Sequence, residues 1–378
     1  MLFQLELFLA VHSSMEDRSL GVSKMIRPGT LGVLTTVAWL LGSSLAFGID
    51  LNSINEINFS DKTAKSKAAP FDPVMLKAQV LLDRARFSPG EIDGRAGDNF
   101  KKAIAAFETA QGLTADGMLD SDTWGRLTAT SNEPVLIEYM LTENDVKGPF
   151  VKKLPSKLEQ MQDLDQLGYT SPREAMAEKF HMSERLLQTL NPGKRFDRAG
   201  ETIVIANVKN EAPGEKVSKV EIDKSRKTLR AFGRDGRLLA VFPASIGSKE
   251  KPAPDGPYKV TSVARNPTYR YNPEYHFKGV KSRKPFTIRP GPNNPVGSVW
   301  INLSLKGYGI HGTPEPGKIG KTESHGCIRL TNWDANTLAS MVEKGAVVSF
   351  LSESPVSTVV PVQRNSGGKS AGSADRVK

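Results

Sequence analysis

The apolar residues of this 378-residue chain change period near residue 217, and that change restricts the fold more than any other feature. Before it, Met75, Leu76, Gln79, Val80 and Leu82, then Phe100, Ala103, Ile104 and Phe107, then Thr123, Trp124 and Leu127 recur at helical spacing. After it, Val220 and Ile222 alternate with charged residues. The runs Thr228 to Phe232, Leu238 to Ile246, Tyr258 to Val263 and Val299 to Leu303 follow, divided by Gly, Pro and Asp-Gly turns. Helices first and strands second make a multidomain α+β protein. We expect a three-helix bundle over 71–130 and a mainly β domain, sandwich-like with a short helix, over 217–351. Asp93-Gly94 and Asp116-Gly117 supply turns between the helices, Asp120 or Ser121 caps the last of them, and Asp235-Gly236 marks a hairpin. Phe107 and Trp124 are read as core.

The remaining segments are less regular. Lys24 and Arg27 precede a charge-free run from Pro28 to Ile49, apolar from Leu31 to Leu41 and ending in the small residues Ser43-Ser44-Leu45-Ala46. Residues 1–49 therefore read as a signal peptide or an uncleaved N-terminal anchor, with Met25 an alternative start to Met1. Residues 50–70 read as a linker. The intermediate region, 131–216, holds a strand near Val135 to Tyr139, a charged stretch, helices around Ala175, Phe180 and Met182 and around Leu186, Leu187 and Leu190, and a strand from Thr202 to Ile205. Residues 265–298 are expected as long loops at the rim of a cleft. A helix capped near Asn332 or Asp334 and running to Val342, a closing strand from Val347 to Phe350, and a disordered polar tail over 352–378 complete the chain.

The formal charge of +10 suits an anionic partner: nucleic acid, a membrane surface or an acidic polymer. The basic residues follow no helix-turn-helix or zinc-finger pattern, so nucleic acid is not expected, and a membrane only through the N-terminal segment if it stays uncleaved. One cysteine, Cys327, cannot form an internal disulfide. Two of the five histidines, His311 and His325, lie close to it in sequence. On the residues alone three readings stand: a small buried thiol, a zinc ligand, and a nucleophile activated by an imidazole. No further Cys, no H-E-x-x-H and no second His pair complete a zinc set, so neither a metal nor a cofactor is expected. A turn rich in Gly, Ser and Lys suits a presented thiol better than a buried one.

His311-Gly312, with Ser324-His325-Gly326-Cys327-Ile328-Arg329 beginning twelve positions on, resembles the signature of the L,D-transpeptidases, cysteine enzymes that cross-link bacterial peptidoglycan. Phe242 to Gly247 and Pro254 to Tyr258 match other elements of that domain, extending the resemblance over about 217–350. The stretch F-S-P-G-E-I-D-G-R-A-G with A-I-A-A-F-E-T-A-Q-G-L-T-A-D-G-M-L-D-S-D-T-W resembles a three-helix peptidoglycan-binding domain. Residues 169–208, with Asn191-Pro192-Gly193 before a strand, loosely resemble a lysin-motif module, and an interdomain spacer is the competing reading.

The resemblance implies Cys327 as nucleophile, His311 as base and later proton donor, and the carbonyl of Gly312 as the group that orients the imidazole. It implies an oxyanion hole built from the backbone N–H groups of His325, Gly326 and Cys327. Ser324 and Arg329 become substrate-binding residues, the guanidinium suiting a carboxylate of the stem peptide; a structural Arg329 paired with Asp334 is the alternative. Arg329 is expected across a local extended segment from Cys327. Tyr269, Tyr271, Tyr275 and His276 read as surface aromatics or as contacts to sugar or stem peptide. The implied partner is peptidoglycan, with a stem tetrapeptide as donor and an amine as acceptor, in the periplasm or cell wall. Water as acceptor would make a carboxypeptidase, and a degenerate site a wall-binding scaffold.

Overall fold

The computed structural model describes residues 50–60, 70–208, 214–247, 254–275, 280–323 and 326–351. The expected signal peptide or anchor over 1–49 and the tail over 352–378 lie outside them, as do Ser324, His325 and His276. No helix among the described residues is long and apolar enough to cross a membrane.

The stretch read as a linker begins instead with a helix, α1 (Leu51–Asn55), capped by the Asp50 side chain and burying Ile54. Asn55 pins it by pairing its side-chain amide with both the N–H and the carbonyl of Leu136. A short polar segment with one apolar side chain can be seated in this way by long-range hydrogen bonds that local composition does not announce.

The three expected helices are α2 (Pro73–Arg84), α3 (Asp98–Gln111) and α4 (Ser121–Thr128). Asp72 accepts from the N–H groups of Val74 and Met75 and Asp120 from that of Thr123, each a cap worth about 1 kcal/mol. Gly112, at φ +71°, ends α3. Next come β1 (Leu136–Met140), α5 (Glu143–Lys147), α6 (Pro172–Lys179), α7 (Glu184–Leu190) and β2 (Thr202–Ala206). β1 and β2 pair antiparallel from Leu136↔Ala206 to Met140↔Thr202. The strand near 135–139 thus belongs to the same unit as residues 169–208, so a module beginning at 169 is cut too short. Asn191, buried, joins helix to sheet by bonding the carbonyl of Leu187 and both backbone groups of Val204. Leu76, Leu82, Phe107, Leu136, Leu187 and Ile203 lie in one apolar core, so bundle and module are packed together.

The C-terminal part is mainly β, as expected. Its strands are β3 (Val217–Asp223), β4 (Thr228–Phe232), β5 (Leu238–Pro243), β6 (Ser245–Ile246), β7 (Pro257–Arg265), β8 (Tyr269–Tyr271), β9 (Phe286–Ile288), β10 (Val299–Leu303), β11 (Gly309–His311), β12 (Ile328–Arg329) and, after helix α8 (Asn332–Met341), β13 (Val342–Leu351). Nine of them form one sheet in the order β5-β4-β3-β13-β7-β10-β11-β12-β6. Its two edge strands, β5 and β6, are consecutive in the chain and separated by Ala244 alone, so the sheet must roll until its edges nearly meet. β7 makes the fold-over: residues 257–259 pair with β13 and residues 260–265 with β10. Apolar side chains inside the roll, among them Val220, Leu229, Ile301, Ile310 and Ile328, pack on Leu338 and Met341 of α8. Thr331, rather than Asn332 or Asp334, caps α8.

The stretch 265–298 is more ordered than expected. β8 and β9 pair as a hairpin, and Tyr271, Phe286 and Ile288 form a small core with Leu167. Tyr271 is therefore buried core, not a surface aromatic. The Tyr275 side chain and His276 lie outside the described residues.

Candidate active site

β11 and β12 run parallel with Ile310 opposite Ile328 and His311 opposite Arg329. The two isoleucines are fully buried in the roll. Side chains alternate along a strand, so His311 and Arg329 share the opposite face. This corrects the expected placing of Arg329: its guanidinium lies on the side of Cys327, close enough to be influenced by a negative charge on Cys327, Glu315 or Tyr269. Its Nε is buried without a hydrogen-bond partner among the described residues. Asp334, the partner of the alternative reading, is bonded instead to Ser88 Oγ at 3.0 Å.

His311 is 3% exposed, and its Nδ1 lies 2.7 Å from the carbonyl oxygen of Gly312. A carbonyl only accepts, so Nδ1 carries the proton and Nε2 keeps its lone pair. Burial and then the Arg329 cation hold the imidazole pKa far below its usual range, at about 3, against a smaller upward effect of the Gly312 bond. The ring is neutral at physiological pH. Trp300 stacks on it with centroids 5.3 Å apart and planes at 18°. The indole is held in turn, Nε1 donating to Asn302 Oδ1 at 2.6 Å and Asn302 to Ser262 Oγ at 3.0 Å.

Cys327 is partly exposed, with Sγ 3.8 Å from the carbonyl oxygen of Gly307. Gly326 before it adopts φ +104°, and a Cβ there would reach within 3.2 Å of the Tyr308 ring. Only glycine takes that backbone without strain. The loop from 312 to 323 is fastened to the helical bundle, Asn99 Nδ2 donating to the Ile319 carbonyl at 2.9 Å. Gly320 passes so close that a Cβ would lie 2.3 Å from Asn99 Oδ1.

The structure thus places His311, Gly312 and Arg329 at the finish of the parallel β11–β12 pair and Gly326 and Cys327 at its start, while Ser324 and His325 lie outside the described residues. Among the described residues no cluster of three His, Cys, Asp or Glu could hold a metal. Trp300 and Asn332 were missed as site residues. Trp300 was legible in principle, because alternation in β10 places it with Asn302 opposite Val299, Ile301 and Leu303. Asn332 reads from the sequence only as a cap.

Residues 218–356 match the model of the L,D-transpeptidase catalytic domain, and residues 72–127 that of a "Putative peptidoglycan binding domain". The "Putative L,D-transpeptidase YkuD" of Bacillus licheniformis is 31% identical over 179 residues, covering 47% of this chain and 92% of that protein. The chain belongs to the L,D-transpeptidase family. This L,D-transpeptidase is also 28% identical over 198 residues to the "Probable L,D-transpeptidase YbiS" of Escherichia coli, covering 51% of this chain and 64% of that one. Among solved structures it is similar to L,D-transpeptidase 3 from Mycobacterium tuberculosis, with 21% identity, a TM-score of 0.31, and 40% of this chain and 66% of that one covered. The L,D-transpeptidase match spans β3 to β13, and so takes in both strands that carry His311 and Arg329. Together the two family models make this an L,D-transpeptidase of the cell wall with peptidoglycan as its substrate.

Proposed function

We propose that the enzyme is exported and transfers the acyl group of a stem tetrapeptide to an amine, with Cys327 as nucleophile and His311 as base. The bond from His311 Nδ1–H to the Gly312 carbonyl carries this reading, because it leaves Nε2 as the basic atom of a neutral ring. The Cys327 proton passes to Nε2, and Sγ attacks the carbonyl carbon of the third stem residue. Backbone N–H groups at 325–327 stabilise the oxyanion, with Gly326 letting the substrate approach. Collapse breaks the amide bond to the terminal D-Ala, which leaves as an amine after taking the proton from His311. The acceptor amine then attacks the thioester, giving its proton to His311 Nε2, and the C–S bond breaks with that proton returned to Cys327 Sγ, giving a 3-3 cross-link when that amine is the side chain of another stem's third residue. Arg329, whose buried Nε has no hydrogen-bond partner among the described residues, suits a stem-peptide carboxylate. Ser324 is assigned to substrate binding on its place in the motif.

Intact-protein mass spectrometry tests the scheme. A disaccharide tetrapeptide should add an acyl group with loss of D-Ala to the wild type and nothing to Cys327→Ala, and muropeptide analysis should find dimers. A folded, reduced wild type that forms no adduct would sink the proposal.

A further inference from the structure

We propose that Glu178, on α6 and outside the catalytic sheet, is a positioning residue for His311, acting through Asn332 and the backbone of Gly312. The inference rests on the reading of His311 as the base. Asn332 is 1% exposed, and its Nδ2 lies 3.1 Å from each carboxyl oxygen of Glu178 and 3.1 Å from the Pro292 carbonyl oxygen. Those groups consume the amide donors, so Oδ1 must point the other way, where it accepts from the Ser298 N–H at 3.0 Å. On that side it meets the two glycines that frame the histidine. A Cβ would lie 2.1 Å from Oδ1 at Gly312 and 2.0 Å at Gly297. The peptide whose carbonyl receives His311 Nδ1–H is thus seated against an amide whose direction Glu178 sets. The Gly312 N–H, in the preceding peptide, bonds the Val299 carbonyl at 3.2 Å and fixes the residue on its N-terminal side.

A reversed amide would turn NH2 toward the Ser298 N–H and a carbonyl oxygen toward the Glu178 carboxyl. The first contact is repulsive in any state and the second wherever the carboxyl is ionised, so Glu178, with the Ser298 N–H and the Pro292 carbonyl, selects one orientation. Glu178 is itself held by the Tyr169 hydroxyl, which donates to Oε1 at 2.9 Å. The 135–208 region therefore reaches the catalytic backbone through one carboxyl and one amide. Glu178 acts here as a brace behind the base.

The full chain is compared as wild type, Glu178→Ala, Glu178→Met and Glu178→Gln. Two quantities are read: acylation by the disaccharide tetrapeptide against its concentration, and the NMR signal of the His311 Nδ1 proton. Misplacing a catalytic group by about 1 Å can cost on the order of 100-fold, so removing the acceptor should lower the maximal acylation rate about tenfold. Half-saturation should stay within about twofold, because Glu178 touches no substrate. The Nδ1 proton signal should broaden or vanish in Ala and Met and persist in Gln, which keeps an acceptor for Asn332 and most of the rate. Met fills the glutamate's volume without an acceptor and decides the matter if Ala does not fold. A folded Ala or Met variant with wild-type rate and an intact Nδ1 signal overturns the proposal, as does a rise in half-saturation alone. His311→Ala is the separating control: if it acylates like wild type, the assignment of the base fails whatever Glu178 does.

Discussion

At the scale of single residues, the neutral state of His311 has a sign that can be worked out. Its folded pKa, about 3, lies below the value near 6.5 of an unfolded chain, so below pH 6.5 the unfolded state takes up a proton that the folded state refuses. The contribution to stability is present above pH 6.5 and is lost as pH falls toward 3. In catalysis the same shift keeps Nε2 unprotonated, so acylation followed by mass spectrometry from pH 7 to pH 5 should show no inflexion near 6.5. An inflexion there would mean an exposed, ordinary imidazole. Gly326 gives a second test. At φ +104° and beside Tyr308, an alanine is strained by roughly 1–3 kcal/mol, and Gly326→Ala should lower denaturation stability by that order and abolish the acyl adduct. A variant with unchanged stability and turnover would show that residue 326 relaxes freely.

At the scale of elements, α6 and α8 meet through polar groups in unusual states. Burial raises the carboxyls of Glu178 and Asp334 to about 7, and His181, stacked on Trp333 at 5.2 Å and bonded through Nδ1 to Asp83, titrates above its usual value. The desolvation of His181 is the largest single effect and opposes the shift; the charge and hydrogen bond of Asp83, with the charges of Asp334 and Glu178, together overcome it. The folded forms of the two carboxyls keep protons that the unfolded chain releases above about pH 4, so their contribution falls as pH rises from there to 7. Asp334→Asn removes one such titration. Its melting temperature relative to wild type should be highest at pH 8 and decline toward pH 5, by differential scanning fluorimetry; a difference independent of pH would place the titration elsewhere. These elements also show what local sequence can and cannot carry. α2, α3, α4 and the long strands were legible because each repeats its period over a buried face. β12 has two residues and β8 and β9 three each, too few for any period. Tyr271 looked exposed because its core partner Leu167 arrives from a segment about a hundred residues earlier. The His, Gly and Cys of the site stood in one motif, whereas Asn332 and Glu178 are joined only by folding, 154 positions apart.

At the scale of the molecule, bundle, module and rolled sheet share polar and apolar contacts. Val241 of β5 lies in the apolar core of the helices, Ser88 bonds Asp334, and Asn99 holds the loop before Cys327. We therefore expect residues 50–351 to unfold in one calorimetric transition with matching calorimetric and van't Hoff enthalpies. Two resolved transitions would show that the parts are energetically independent. The segment beside β5 bears on how the chain is built. The Val241 N–H bonds the Arg86 carbonyl and the Ser88 N–H the Val241 carbonyl, so a strip from the helical part lies along the edge of the sheet. An open edge is where one sheet recruits another, and at Val241 this one is occupied by residues synthesised some 150 positions earlier. Helices that emerge first and hold that strip ready would cover β5 as it forms, a built-in guard against intermolecular pairing during folding.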